Sequence, residues 1–79
     1  MDVLYIAASG SADPTRASIP WHLAVNGSVA AGQDVGILLL GDAAEVLNGD
    51  VRAKLVGVGV PPIDELIAKA HDHMVSVFV

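Results

Sequence analysis

Two stretches of this chain are almost wholly apolar, and they narrow its folds more than anything else in the sequence. Val3, Leu4, Tyr5, Ile6, Ala7 and Ala8 run without a polar break, and residues 34–40, DVGILLL, do the same after Asp34. A strand with one wet face alternates polar and apolar residues. A strand without alternation expects cover on both faces, as in parallel sheets flanked by helices. The two runs are separated by a helical stretch, so together they predict a parallel βαβ unit with a right-handed crossover.

The turn out of the first run is small and polar: Ser9-Gly10-Ser11-Ala12-Asp13. Asp13 offers an N-cap oxygen, and Pro14 suits the first helical position, where its missing N–H costs nothing. A helix is therefore expected from about Pro14 to Ala31, with Ala17, Trp21, Ala24, Ser28 and Ala31 at helical spacing. Pro20 should kink it. A rival reading starts the helix later, with Ser18 as cap; Asp13-Pro14 is the stronger start signal. Gly32 supplies a left-handed end.

After the second run, Asp42 is expected to cap a short helix, Ala43 to Asn48, closed by Gly49. Residues 51–60, VRAKLVGVGV, mix β-branched residues with Gly57 and Gly59 and read as mostly irregular. Beyond Pro61-Pro62 comes the clearest helix: Ile63, Leu66, Ile67, Ala70 and Met74 share one face, and Glu65 and Lys69 form an i,i+4 pair. Residues 74–79, MVSVFV, read as a third strand on which the chain stops in mid-run. The expected strands are thus 2–8, 34–40 and 74–79, in the order 2-1-3 with the first in the middle.

Composition bounds what such a unit can do. Seventy-nine residues make one domain, 1–79, with a core that is marginal at this length. There is no cysteine, hence no disulfide, no thiolate metal site and no cysteine nucleophile within these residues. Four basic against nine acidic side chains give a net charge of -5, which argues against nucleic acid or anionic membrane as partner. Asp2 stands where a secretory signal carries positive charge, and no apolar run is long enough to span a bilayer, so a cytoplasmic protein is expected. Apolar residues reach 53%, and self-association is the simplest way to hide the surplus.

Several motifs, in order, resemble the first half of the DsrE/TusD-like family. They are the small-residue loop with Asp13-Pro14-x-Arg16-Ala17, the helical Pro20, and the Ala-x-x-Gly ending at Gly32. LLLGDAA after the second strand, VGVPPIDELI into the last helix and the apolar strand beyond it complete the set. The resemblance covers essentially all of the chain. It implies a flavodoxin-like α/β domain, a three-layer sandwich around a parallel sheet, that associates as a homo-oligomer (trimer or hexamer) or with related DsrE-like subunits. It also implies sulfur relay, with persulfide carried on a cysteine that follows the third strand. That cysteine would lie beyond Val79, so the resemblance implies either a truncated domain, inactive as given, or a degenerate member without the chemistry, and hands over no catalytic residue.

The residues themselves offer a modest pocket. Ser9, Gly10, Ser11 and Asp13 could turn loop N–H groups and a helix N-terminus toward an anion, and Gly41 and Asp42 end the neighbouring strand. The plainer reading is a tight turn with an N-cap, and a second cap at Asp42. The loop is no Walker A motif and lacks GxGxxG spacing. His71 and His73 are two apart on a helix and cannot share a metal as an i,i+4 pair can. No metal or cofactor is expected. The competing functions are a sulfur-relay domain, a non-catalytic oligomeric scaffold, and a nucleotide- or flavin-binding module, the last weakened by the helical position of Trp21.

Overall fold

The computed structural model describes all residues from 1 to 79. Three strands, β1 (Val3–Ala7), β2 (Val35–Leu39) and β3 (Ser76–Phe78), form one parallel sheet, as the unbroken apolar runs predicted. Each is shorter than its apolar run. The strand order is β1-β2-β3, with Val3 beside Val35 and Gly36 beside Ser76. The expected order 2-1-3 is therefore corrected: β2 is central and β1 is an edge.

That order has a geometric consequence. Right-handed crossovers that keep stepping in one direction lay their helices on one face of the sheet; only a reversal puts them on both. The burial follows this rule. Val35, Ile37, Leu39 and Ala7 join one core with Trp21, Val25, Ile63, Leu66 and Ala70 from the helices, and Val3 and Tyr5 pack against its margin. The alternate residues point the other way: Leu4 is 46% exposed, Ile6 59% and Phe78 46%. Cover on both faces of β1, expected from its lack of alternation, is not supplied by these residues. Gly36 on that second face is buried because Met1 and Phe78 lean over it: an added Cβ would stand 2.6 Å from Met1 Cε and 3.3 Å from Phe78 Cε2.

The first helix starts as its caps dictate. Asp13 Oδ1 accepts the Arg16 N–H at 3.1 Å, and α1 runs Pro14–Leu23. The Ser18 cap does not occur; Ser18 is buried and its hydroxyl donates to the Pro14 carbonyl at 2.7 Å. Pro20 has no N–H to give, and just beyond it the winding widens into a π-helical stretch, Ala24–Ser28. Val29 N–H then reaches back to Ala24 O at 2.9 Å, one residue further than an α-helix allows. The predicted helix to Ala31 is thus an α-helix followed by a π turn, ending at Gly32 with φ +80°.

The next segment differs more. Gly41–Leu47 winds as a 3₁₀-helix, and Asp42 caps nothing. Asn48 makes the cap instead: its Oδ1 accepts Asp50 N–H at 2.9 Å and starts the short α2, Gly49–Arg52. Gly49 opens that helix rather than closing the previous one. Of residues 51–60, expected to be mostly irregular, Val51 and Arg52 belong to α2 and the rest are irregular, with Leu55 buried as their anchor. The helix α3, Ile63–Asp72, buries Ile63, Leu66 and Ala70. It stops before Met74, which takes φ 54° and is 88% exposed, so Met74 leaves the apolar face. Lys69 turns to Asn26 Oδ1 rather than to Glu65. No helix is long and apolar enough to cross a membrane.

Candidate functional site

The loops after β1 and β2 are neighbours because their strands are paired, and Leu40 N–H reaches Ala7 O at 2.9 Å to hold the two strand ends together. Gly10 is the point of closest approach. It is buried, and a Cβ there would press on the Asp42 carbonyl oxygen and on Glu45 Oε1. Ser11 completes the clasp: its hydroxyl donates to Glu45 Oε2 at 2.7 Å, and its N–H lies 3.4 Å from Oε1.

Of the six predicted positions, Gly10 therefore meets the backbone of Asp42, and Ser11 the carboxylate of Glu45. Asp13 points to its own helix, accepting Arg16 N–H and facing Arg16 Nε at 3.6 Å. Ser9 makes no side-chain hydrogen bond, and the Asp42 carboxylate has no partner. Gly41, at φ +56°, turns the chain out of the strand, where the left-handed conformation favours glycine. Glu45 is the member that sequence reasoning missed. Asp42-Ala-Ala-Glu45 has capping-box spacing, which would have sent Glu45 back to its own helix end; the structure sends it to Ser11.

These contacts decide the chemistry. Three of the donors that an anion could use, the Ser11 N–H and hydroxyl and the Arg16 N–H, already serve the carboxylates of Glu45 and Asp13. An incoming anion would also meet the charge of Asp42. The helix N-terminus is further roofed by residues 57 and 58: Val58 N–H donates to Thr15 Oγ1 at 3.0 Å, and Gly57 lies against Thr15 Cα. The Ser11–Glu45 contact therefore clasps the two strand-end loops together. A cleft of about 290 Å³ opens beside it, between Ser11, Pro14 and the Asp50–Leu55 segment, with Lys54 as its only cation.

The order β1-β2-β3 also removes the reversal point at which open α/β sheets form their ligand crevice. A loop leaving β3 would stand next to the end of β2, with β2 between it and the Ser9–Asp13 loop. Two strand spacings, roughly 10 Å, separate those loops, where the order 2-1-3 would have set them side by side.

His71 and His73 are exposed near the end of α3, and His22 pairs with Asn26 at 2.9 Å. No three metal-ligating side chains gather anywhere. Trp21 is on α1 and in the core at 2% exposure, so its ring is not offered to a ligand. The chain matches no family model, no curated protein and no solved structure.

Proposed function

We propose that this chain is an association unit of the DsrE-like, sulfur-relay kind, which assembles with copies of itself and carries no sulfur on its own residues. The observation that supports it is the open sheet face. Leu4, Ile6, Leu38, Leu40, Phe78 and Met1 make a surface without a charged side chain among them, on a protein of net charge -5. Contiguous apolar surface of this kind marks an interaction site. A second copy matches it: the side chains of the face are uncharged, and two such sheet faces stack at about 10 Å. Such stacking is twofold, so a hexamer reconciles it with the threefold assembly that the resemblance implies.

The sulfur chemistry belongs to the same proposal. Persulfide transfer needs a thiolate to attack the donor and then hold the sulfane sulfur, and no residue between 1 and 79 can do so. An acceptor cysteine following the third strand would stand beside the Gly41–Asp42 end of β2. The nucleotide or flavin reading draws no support, since the loop donors serve the protein's own carboxylates.

Light scattering with Ile6→Glu is the test. Ile6 keeps 59% of its surface outside the fold, so its further burial is worth about 1–2 kcal/mol per copy, or on the order of 10²-fold in a dimer constant. The parent should give a multiple of 8.1 kDa and the variant 8.1 kDa with an unchanged far-UV circular dichroism spectrum. A parent mass of 8.1 kDa at micromolar concentration would overturn the association. Labelled sulfur retained by the 79-residue chain after desalting would overturn the chemistry.

A further inference from the structure

Between the π turn and α3 runs a chain of three polar side chains, apart from the strand-end loops and from the open sheet face. Asn26 Nδ2 stands 2.9 Å from His22 Nδ1, and Lys69 Nζ donates to Asn26 Oδ1. The donor and acceptor roles along it are fixed. An ammonium group only donates, so the oxygen of Asn26 has to face Lys69. The Asn26 amide nitrogen, also a donor only, is thereby turned to His22, and Nδ1 has to supply a lone pair. The chain closes with one form of His22, the neutral ring that carries its hydrogen on Nε2.

A proton on Nδ1 sets N–H against NH₂. Turning the Asn26 amide over mends that contact and breaks the other, because its nitrogen then faces the Lys69 ammonium. No orientation of Asn26 serves both neighbours once His22 is charged. We propose that His22, Asn26 and Lys69 form a pH-sensitive latch, which ties α3 to the π turn while His22 is neutral and lets go when it is protonated. The surroundings offer the charged ring somewhere to go. The helices α1 and α3 touch, and each returns the chain to the start of a parallel strand, so they run in the same direction. Glu65, one turn before Lys69 and in no ion pair, is therefore the carboxylate toward which a charged His22 can turn. Of the other charges on the two helices, Arg16 faces Asp13, Asp64 faces Arg52, and His71 and Asp72 follow Lys69 at the exposed end of α3. The strands β1 and β2 beneath carry no charge, and the hydroxyl of Tyr5 on β1 is bonded to Ser28. The latch does not rest on the association reading.

The chain has two asparagines, so the side-chain amide of Asn48, which caps α2, is a control within the same ¹⁵N–¹H spectrum. Between pH 8 and pH 5, where histidine changes charge, the Asn26 amide pair should shift together with the His22 ring protons while the Asn48 pair stays in place. Melting temperatures, taken at one protein concentration, separate a latch from an ordinary surface contact. Lys69→Met should lower the melting temperature by roughly 2–4 °C at pH 8, the shift that a partly exposed hydrogen bond carries in a domain of this size, and hardly at all at pH 5. With His22→Phe added to both proteins, the effect of Lys69→Met should be the same at the two pH values. An Asn26 amide unmoved between pH 8 and pH 5 would overturn the latch. So would a Lys69→Met effect undiminished at pH 5, or a pH-dependent effect that survives His22→Phe.

Discussion

Gly10→Ala and Gly27→Ala make the same chemical change and should have opposite effects. Neither glycine has a positive φ, so backbone strain enters neither case. At Gly10 the new methyl group meets the Asp42 carbonyl oxygen and Glu45 Oε1, with the Asp42 carbonyl carbon 2.9 Å away. A side chain could rotate clear; the backbone of the 3₁₀-helix cannot without moving the end of β2. Overpacking of this kind costs about 1–3 kcal/mol, and a backbone obstacle puts it in the upper half. For a domain of this size each kcal/mol is worth roughly 4–8 °C, so the melting temperature should fall on the order of 10–20 °C. At Gly27 a Cβ meets nothing within 4 Å. Alanine there should stabilise by about 0.5–1 kcal/mol through the lost freedom of the unfolded chain, a rise of roughly 2–8 °C. Thermal unfolding followed by circular dichroism, at one protein concentration for all three proteins, reads both. A Gly10→Ala variant melting within roughly 2 °C of the parent would refute the clasp between the two strand-end loops.

Asp13→Ala should lose about 1 kcal/mol in urea unfolding while Asp13→Asn keeps most of it, because the cap needs the side-chain oxygen rather than the charge. Ile63→Ala, at a wholly buried position in the core, should cost about 2–5 kcal/mol; a loss below about 1 kcal/mol would mean that α3 does not pack on the sheet as described. Tyr5→Phe strands the buried Ser28 hydroxyl, which it meets at 2.8 Å, and should cost about 1 kcal/mol; adding Ser28→Ala should recover most of that. Equal losses in the single and double variants would count against that hydrogen bond.

The parts of this fold that can be read from the chain are those whose signal is local. Ile63, Leu66 and Ala70 announce α3 by spacing, and Asp13-Pro14 announces α1 by its cap, because both effects act within a few residues. Strand order is a different matter. Val3 to Ala8 says only that both sides of the strand favour burial; it cannot say whether anything is there to bury them, and Leu4 and Ile6 stay half exposed. Pro20 marks a fault in the helix, but whether the backbone bends or widens into the π turn at Ala24–Ser28 depends on packing against β2 and α3. At the candidate site Gly10 and Ser11 were legible as loop residues. Glu45 was not, since its partner lies 34 positions away and only the pairing of β1 with β2 brings it near.

The strands stand in space in the order in which a ribosome makes them. Each parallel pairing joins residues far apart, 32 positions for Val3 with Val35 and 40 for Gly36 with Ser76, so neither forms early by local zipping. The sheet instead grows at one edge, as each completed strand docks on the last. At roughly 5–20 residues per second, β2 is made seconds before β3, while a small unit can fold in milliseconds to seconds. Throughout that interval the unpaired edge belongs to residues 35–39, VGILL, a stretch with no charge and no proline to deter another chain. Docking of Ser76–Phe78 covers that edge of β2 and passes the exposed position to a strand of three residues in place of five.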